Sequence, residues 1–121
     1  MKILGINLFH YDTSASLIID DKIVVAVEEE RFQRIKHYSG FPTMSLKYCL
    51  DSQNLELRDI DYISVNYNKT HNFSEKIKYS LENFYNINIY KKFCKNILKN
   101  PLQKIIESNL NQKFNGKIHF V

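Results

Sequence analysis

The first 30 residues of this 121-residue chain hold three strand-like stretches before any helical pattern begins. Residues 2–8 alternate between two sets of side chains, as in a strand that packs on both faces. Residues 15–20 and 22–30 are two further predicted strands, separated by the Asp20-Asp21 pair, which tolerates the left-handed angles of a tight turn. A two-residue turn joins antiparallel strands. The pattern therefore predicts an antiparallel three-stranded meander.

Helical spacing begins after this meander. Gly40 and Pro42 interrupt the chain, and proline suits the first turn of a helix. Leu46, Cys49 and Leu50 then recur at helical spacing, which predicts a helix over residues 42–51. The other predicted elements are a strand over residues 62–67, a helix capped by Ser74, a helical turn at 93–98, a helix from Pro101 to Gly116 and a strand over 117–121.

This order of elements, β-β-β-α-β-α(α)-β, is that of a ribonuclease-H-like half, the unit that actin-like (ASKHA) and sugar-kinase-like ATPases use twice. We expect an α/β fold with one domain over residues 1–121, since the chain is too short for two domains. The last predicted strand lacks a following helix to cover the sheet. We therefore expect the domain to be incomplete at its C-terminus, with apolar groups such as Ile118 and Phe120 exposed.

Composition excludes several classes of protein. The 44% hydrophobic and 25% charged fractions argue against disorder. No apolar run approaches the length of a membrane span and no signal pattern is present, so we expect a cytoplasmic protein with no membrane partner. Cys49 and Cys94 lack metal-type spacing, which favours buried thiols in a reducing compartment.

Charge divides unevenly along the chain. Residues 1–68 carry a net charge of −3 and residues 69–121 a net charge of +7, which together give +4. The ten basic residues of the second part are all lysines, scattered along helix-like segments. This distribution favours a solvated lysine-rich surface over a nucleic-acid interface, although steeply salt-dependent binding would support the latter.

Two polar motifs are candidate sites. The first, residues 10–14, joins the first two strands, and its hydroxyl and amide groups, including Ser14, can hold a phosphate oxygen. Asp12 can accept a proton from an attacking hydroxyl, or can simply bond its own backbone in a polar turn. The second motif places three glutamates after a strand, followed by the cations Arg31, Arg34 and Lys36 and by His37, a candidate acid or base. A solvated, mutually neutralising charge run is the alternative interpretation.

Taken together, four segments closely resemble the opening of NodU/CmcH-type carbamoyltransferases. They are Ile-Leu-Gly-Ile-Asn at residues 3–7, His-x-Asp-x-Ser-Ala at 10–15, Glu-Glu-Glu-Arg-Phe-x-Arg-x-Lys-His at 28–37 and Gly-Phe-Pro at 40–42. The resemblance is strong over residues 1–50 and only architectural from about 70 to 115. It implies an actin-like domain of an enzyme that carbamoylates hydroxyls of nodulation factors and antibiotics.

The resemblance also implies chemistry and site residues. Carbamoyl phosphate and ATP would yield a carbamoyl-adenylate, whose carbamoyl group passes to an alcohol at a divalent metal site, expected to hold iron. The family's site histidine and lysine map onto His10 and Lys36, expected to be catalytic, with Asp12, Ser14, Arg34 and His37 binding substrate. Many relatives have histidine directly before the aspartate, where this chain has Tyr11.

The last predicted strand resembles the family strand that precedes a His-His-x-x-His-Ala segment supplying metal ligands. We therefore assign no metal ligand to this chain and expect no cofactor in it, while the complete enzyme would use ATP and the metal. The resemblance favours a carbamoyltransferase fragment: a truncated gene product, a split-gene subunit with a downstream-encoded remainder, or a partial sequence. We expect it to be inactive when isolated. The alternative is a non-catalytic actin-like half-domain that binds a partner chain.

Overall fold

The computed structural model describes residues 1–8, 12–66 and 102–121. The elements within them are β1 (Lys2–Asn7), β2 (Ser14–Ile19), β3 (Lys22–Glu28), α1 (Glu30–Gln33), α2 (Thr43–Asp51), a 3₁₀ turn (Leu57–Asp59), β4 (Tyr62–Val65), α3 (Leu102–Leu110) and β5 (Lys117–Phe120). Predictions at Cys94, at His10, in the helix capped by Ser74 and in the turn at 93–98 lie outside the described residues.

The described strands form one mixed sheet in the order β3-β2-β1-β4-β5. β1, β2 and β3 are antiparallel neighbours, whereas β4 is parallel to β1 and β5 is parallel to β4. This confirms the α/β class and the predicted meander. The carboxyl ends of β1, β3, β4 and β5 consequently meet the start of β2 at one edge of the sheet.

Local sequence explains the meander. Asp20 and Asp21 both have left-handed backbone angles, with φ of 47° and 64°, so the predicted two-residue turn is confirmed. The register of β2 and β3 shifts between Leu17 and Ile18, which adds a bulge next to that turn. β3 ends at Glu28 instead of continuing to residue 30 as predicted, because Glu29 adopts a helical conformation.

Both longer helices pack on the same face of the sheet. The buried residues Leu46, Cys49 and Leu50 of α2 match the predicted helical face. They form one core with residues from the strands, the 3₁₀ turn and α3, including Leu4, Ile6, Leu17, Leu57, Ile63, Val65, Leu102 and Ile106. We call this side the helix-covered face. Burial raises the pKa of the Cys49 thiol to about 11, so it stays protonated at neutral pH.

The C-terminal elements differ from the prediction in two ways. α3 ends at Leu110 and not near Gly116, because Asn111 takes a left-handed conformation with φ of 53°. Ile118 of β5 is partly buried against the core, so the expected exposure of Ile118 was wrong, while Phe120 is half-exposed. Among the described residues, no helix has both the length and the apolarity to cross a bilayer.

Candidate functional site

The sheet face opposite α2 and α3 carries small and polar side chains at the carboxyl ends of β1 and β4. Gly5 pairs with Ser16 of β2 and with Ser64 of β4, and Asn7 pairs with Ser14. These residues line a cleft of about 590 Å³. We call this surface the polar face; it comprises Gly5, Asn7, Ser14, Ser16, Ala26, Glu28, Ser64 and Asn66. Hydroxyl and amide groups on several strands can thus contact one ligand.

Two asparagines connect the strand ends at this edge. The Asn66 side-chain amide donates to Asn7 Oδ1, and the backbone N–H of Leu8 donates to Asn66 Oδ1 over 2.9 Å. Asn7 Nδ2 donates in turn to the backbone carbonyl of Asp12 over 3.0 Å. These bonds link Leu8 and Asp12 to the ends of β1 and β4.

The two candidate motifs meet through one side-chain contact. His37 Nδ1 lies 3.0 Å from Asp12 Oδ1, although the two residues are 25 positions apart. Both have left-handed backbone angles, with φ of 64° at Asp12 and 56° at His37. A left-handed histidine is uncommon, and such strain is typical of sites that the surrounding structure holds in place. Asp12 therefore does more than complete a local turn.

The three consecutive glutamates point to three different places. Glu28 lines the cleft on the polar face. Glu29 is fully buried and contacts the start of α2. Glu30 begins α1, and its Oε2 accepts a hydrogen bond of 3.4 Å from the backbone N–H of His37. A solvated charge run is therefore the wrong interpretation for Glu29, whereas Glu28 is exposed and Glu30 is partly buried.

The predicted site residues divide into two groups by location. Ser14 lines the cleft, whereas Asp12 and His37 contact each other but do not line it; the Asp12 backbone carbonyl is bonded to the lining residue Asn7. Arg34 follows α1 in a left-handed conformation, and Lys36 precedes His37; both are exposed and neither lines the cleft. The catalytic and binding roles assigned to these residues remain predictions.

Among the predicted site residues that the structure describes, Ser14 is the only one that lines the cleft. Arg31 was named as one cation among three, yet Arg31 lines the cleft together with Glu28. No role was predicted for Asn7 or Asn66, which lie at the carboxyl ends of β1 and β4. A usable signal was present, because polar residues that directly follow parallel neighbouring strands meet at one edge of a sheet.

No cluster of three or more metal-ligating His, Cys, Asp or Glu side chains occurs within residues 1–8, 12–66 and 102–121. The donor set of these residues therefore does not fit the iron site implied by the sequence resemblance. We assign no chemical step to a metal held by them.

Comparisons with known proteins identify the family. The family model described as "Carbamoyltransferase N-terminus" matches residues 2–119. The chain is 48% identical to the uncharacterized protein sll1178 of Synechocystis over 61 residues. This aligned segment is 50% of the present chain and 10% of that protein. It is 45% identical over 58 residues to nodulation protein NolNO of Sinorhizobium fredii, covering 48% of the chain and 8% of the relative.

A third relative is archaeal. The uncharacterized protein MJ1051 of Methanocaldococcus jannaschii is 44% identical over 63 residues, or 52% of this chain and 12% of the relative. The matched segments thus span about a tenth of the length of these three relatives. Because the family model covers almost every residue, the chain belongs to the carbamoyltransferase N-terminal family.

Proposed function

We propose that this chain forms the acceptor-binding and carbamoyl-binding wall of a NodU/CmcH-type carbamoyltransferase. Family membership and the similarity to NolNO support a transferase role. In this proposal the enzyme uses carbamoyl phosphate and ATP to make a carbamoyl-adenylate. The carbamoyl group then passes to a hydroxyl of a sugar or antibiotic-type acceptor. ATP binding and the metal ligands belong to parts of the enzyme beyond the described residues.

The contact between Asp12 and His37 is the observation that carries this proposal. A hydroxyl that attacks a carbamoyl carbon must lose its proton, and a carboxylate beside an imidazole is a suitable acceptor for it. The pair lies beside the hydroxyl-rich and amide-rich polar face, through Asn7 and Ser14. The acceptor alcohol would bind on that face with its reacting hydroxyl toward Asp12.

Cations near this pair suit an anionic carbamoyl donor. Arg31 lines the cleft, and Arg34 and Lys36 lie in the segment between α1 and His37. Guanidinium groups bind phosphate through paired hydrogen bonds, whereas an ammonium group acts as a point charge. We assign the donor phosphate to these cations and keep Lys36, together with His10, as the proposed catalytic residues of the complete enzyme.

The sheet supports the finer fold assignment within this proposal. An antiparallel meander followed by two parallel strands, in the order β3-β2-β1-β4-β5, suits a ribonuclease-H-like half of an actin-like domain. In that architecture, ligands bind at the carboxyl ends of the parallel strands, where the polar face lies. The proposed setting is the cytoplasm, where carbamoyl phosphate and ATP are both available.

Titration of the isotope-labelled 121-residue chain with carbamoyl phosphate, followed by nuclear magnetic resonance, tests the proposed site. We expect shifts concentrated in residues 12–16, 28–38 and 64–66, and larger than those caused by equal inorganic phosphate. Arg31→Gln and Lys36→Gln should each weaken binding by about tenfold or more, since each removes a charge-assisted hydrogen bond to the donor phosphate.

The matched control is Lys47→Gln, which removes one ammonium group from the exposed side of α2. This variant should bind carbamoyl phosphate like the unmodified chain. Shifts confined to other surfaces, or equal responses to carbamoyl phosphate and inorganic phosphate, would contradict the assignment of the donor site. Binding of a partner chain without any carbamoyl phosphate binding would instead favour the non-catalytic half-domain.

A further inference from the structure

Glu29 is a buried carboxylate whose partners lie outside its own segment. Its side chain is 0% exposed. Oε2 accepts hydrogen bonds from the backbone N–H of Ser45 over 2.7 Å and from Ser45 Oγ over 2.8 Å. Oε1 accepts from the backbone N–H of Met44 over 3.1 Å and from Gln33 Nε2 over 3.0 Å. A buried charge is tolerated only when it is bonded as fully as this.

These bonds place Glu29 in the role of a helix cap. Met44 and Ser45 belong to the first turn of α2, whose N–H groups have no partner within the helix. The residue before this helix, Pro42, makes no side-chain capping bond. A local Ser or Asp would ordinarily supply the acceptor. Here the acceptor is Glu29, which directly follows β3 and precedes Met44 and Ser45 by 15 and 16 positions. The start of the helix is therefore fixed to the end of that strand.

The backbone of Glu29 extends the same connection to the candidate site. Its N–H donates to the carbonyl of Thr13 over 2.8 Å. The N–H and the hydroxyl of Thr13 each donate to the carbonyl of Tyr38 over 3.1 Å. Thr13 directly follows Asp12, and Tyr38 directly follows His37. Glu29 is thus bonded to the residue that holds both members of the Asp12–His37 pair in place.

We propose that Glu29 is a positioning residue that sets the placement of Asp12 and His37. Its side chain anchors the junction between β3 and α1 to α2, and its N–H anchors Thr13 to that junction. The pair's use on a substrate rests on the function proposed above, whereas the coupling itself belongs to the fold. Nothing in this proposal requires Glu29 to contact a substrate.

Hydrogen exchange and proton–proton contacts in the 121-residue chain, measured without ligand, test this coupling. Glu29→Gln keeps one acceptor oxygen but places an NH₂ group opposite N–H donors at the start of α2. We expect exchange protection of the Met44, Ser45 and Thr13 amides to fall by about tenfold or more, which corresponds to the loss of one good hydrogen bond. The His37 ring should lose its magnetisation transfer to the Asp12 β-protons.

Glu28→Gln is the matched control, because it removes the neighbouring carboxylate on the polar face. It should leave those three amides and the ring contact unchanged. Loss of protection at Met44 and Ser45 alone, with Thr13 and the ring contact intact in Glu29→Gln, would overturn the proposal and leave Glu29 as a helix cap. A Glu28→Gln effect equal to that of Glu29→Gln would also overturn it.

Ser45→Ala provides a second test if Glu29→Gln does not fold. It removes one of the four side-chain bonds and keeps the buried carboxylate. We expect smaller changes at the same amides and a weakened contact between His37 and Asp12. Reduced protection at Ser45 with an unchanged ring contact would overturn the proposal. Since every readout here is free of ligand, failure of the carbamoyl phosphate titration would count against the proposed function alone.

Discussion

The two faces of the sheet differ in burial and in the side chains that they carry. On the helix-covered face, Leu4, Leu17 and Ile63 are fully buried, and apolar contact with α2 and α3 fixes their environment. On the polar face, their immediate neighbours Gly5, Ser16 and Ser64 line a cleft. Because successive side chains of a strand alternate between faces, the same three strands carry both the core and the candidate site. The stability of the chain and its chemistry should therefore respond to different substitutions.

The largest expected effect is on the helix-covered face. Ile63→Ala should lower the free energy of unfolding by about 2–5 kcal/mol, because it removes buried methyl groups and leaves a cavity. Urea denaturation followed by circular dichroism measures this change. The adjacent Ser64→Ala is the control on the polar face and should change stability by less than about 0.5 kcal/mol. Equal losses in the two variants would remove the distinction between the faces.

A substitution at Gly5 should affect the cleft more than stability. A Cβ built on Gly5 would lie 2.6 Å from Ser16 Oγ, the end of a side chain that can rotate away. We expect Gly5→Ala to cost less than about 1.5 kcal/mol of stability while weakening carbamoyl phosphate binding, since the methyl group enters the cleft. Gly5→Ala combined with Ser16→Ala should recover the lost stability. A stability loss that the second substitution leaves unchanged would show that the polar face is packed as tightly as the core.

The local helices, strands and turns were predictable from sequence, whereas the contacts between distant elements were not. The Asp20-Asp21 turn and α2 depend on neighbouring residues and were predicted. The end of β3 was predicted two residues too late, because Glu29 leaves the strand to satisfy amides 15 and 16 positions away. The periodicity of hydrophobic residues in a sequence does not predict a hydrogen bond between residues so far apart.

The candidate site likewise combines residues that the sequence predicted with contacts that only the folded sheet creates. Asp12 and His37 were each predicted to bind substrate, and the structure brings their side chains into contact, while the binding role stays a prediction. Asn7 and Asn66 meet only because β1 and β4 pair in parallel, with 59 positions between them. Sequence patterns predict strands well but leave their order in a sheet open. The cleft depends on that order, so most of its lining was missed.

Acidic pH should lower the stability that Glu107 of α3 contributes to the chain. The backbone N–H of Phe114 and the Gln103 amide both donate to Glu107, with Lys113 Nζ at 3.5 Å, and these contacts lower the pKa of Glu107. A lowered folded-state pKa contributes stability above the unfolded value near 4.5. That contribution is lost as pH falls through the folded value, below about 4.5.

Glu107→Gln is the variant that isolates this contribution. Urea midpoints measured from pH 7 to pH 3 should fall less steeply for Glu107→Gln than for the unmodified chain. The exposed Glu56 serves for comparison, since Glu56→Gln removes a carboxylate paired with exposed Arg58 and keeps a side-chain oxygen for the cap of the 3₁₀ turn. Parallel pH profiles for Glu107→Gln and the unmodified chain would show that Glu107 contributes nothing to the acid sensitivity.

Catalysis by the isolated chain should be undetectable. Carbamoyl transfer in the proposed enzyme requires an activated carbamoyl donor, an electrophile such as a metal and a positioned hydroxyl, and the described residues supply groups for the last of these. The purified chain should form no carbamoylated product from ATP, carbamoyl phosphate, iron and a panel of sugar alcohols. Product formed by the chain alone would refute the idea of an incomplete enzyme, while product formed only with a second, downstream-encoded chain would establish a split one.

The smallest expected change in stability is at the Asp12–His37 pair. Its side chains are 44% and 69% exposed, and exposed ion pairs contribute between about 0 and 1 kcal/mol. Asp12→Asn should therefore shift the urea midpoint little, even though it removes the proposed proton acceptor. Asp12 also has a left-handed backbone, which asparagine adopts readily, so the substitution adds no strain. Asp12→Ala should be less stable than Asp12→Asn for that reason, and comparing the two separates backbone strain from loss of the carboxylate. If Asp12→Asn destabilised the chain as much as Ile63→Ala, Asp12 would be a structural residue. Stability and the proposed chemistry would then depend on the same side chain, contrary to the separation between the two faces.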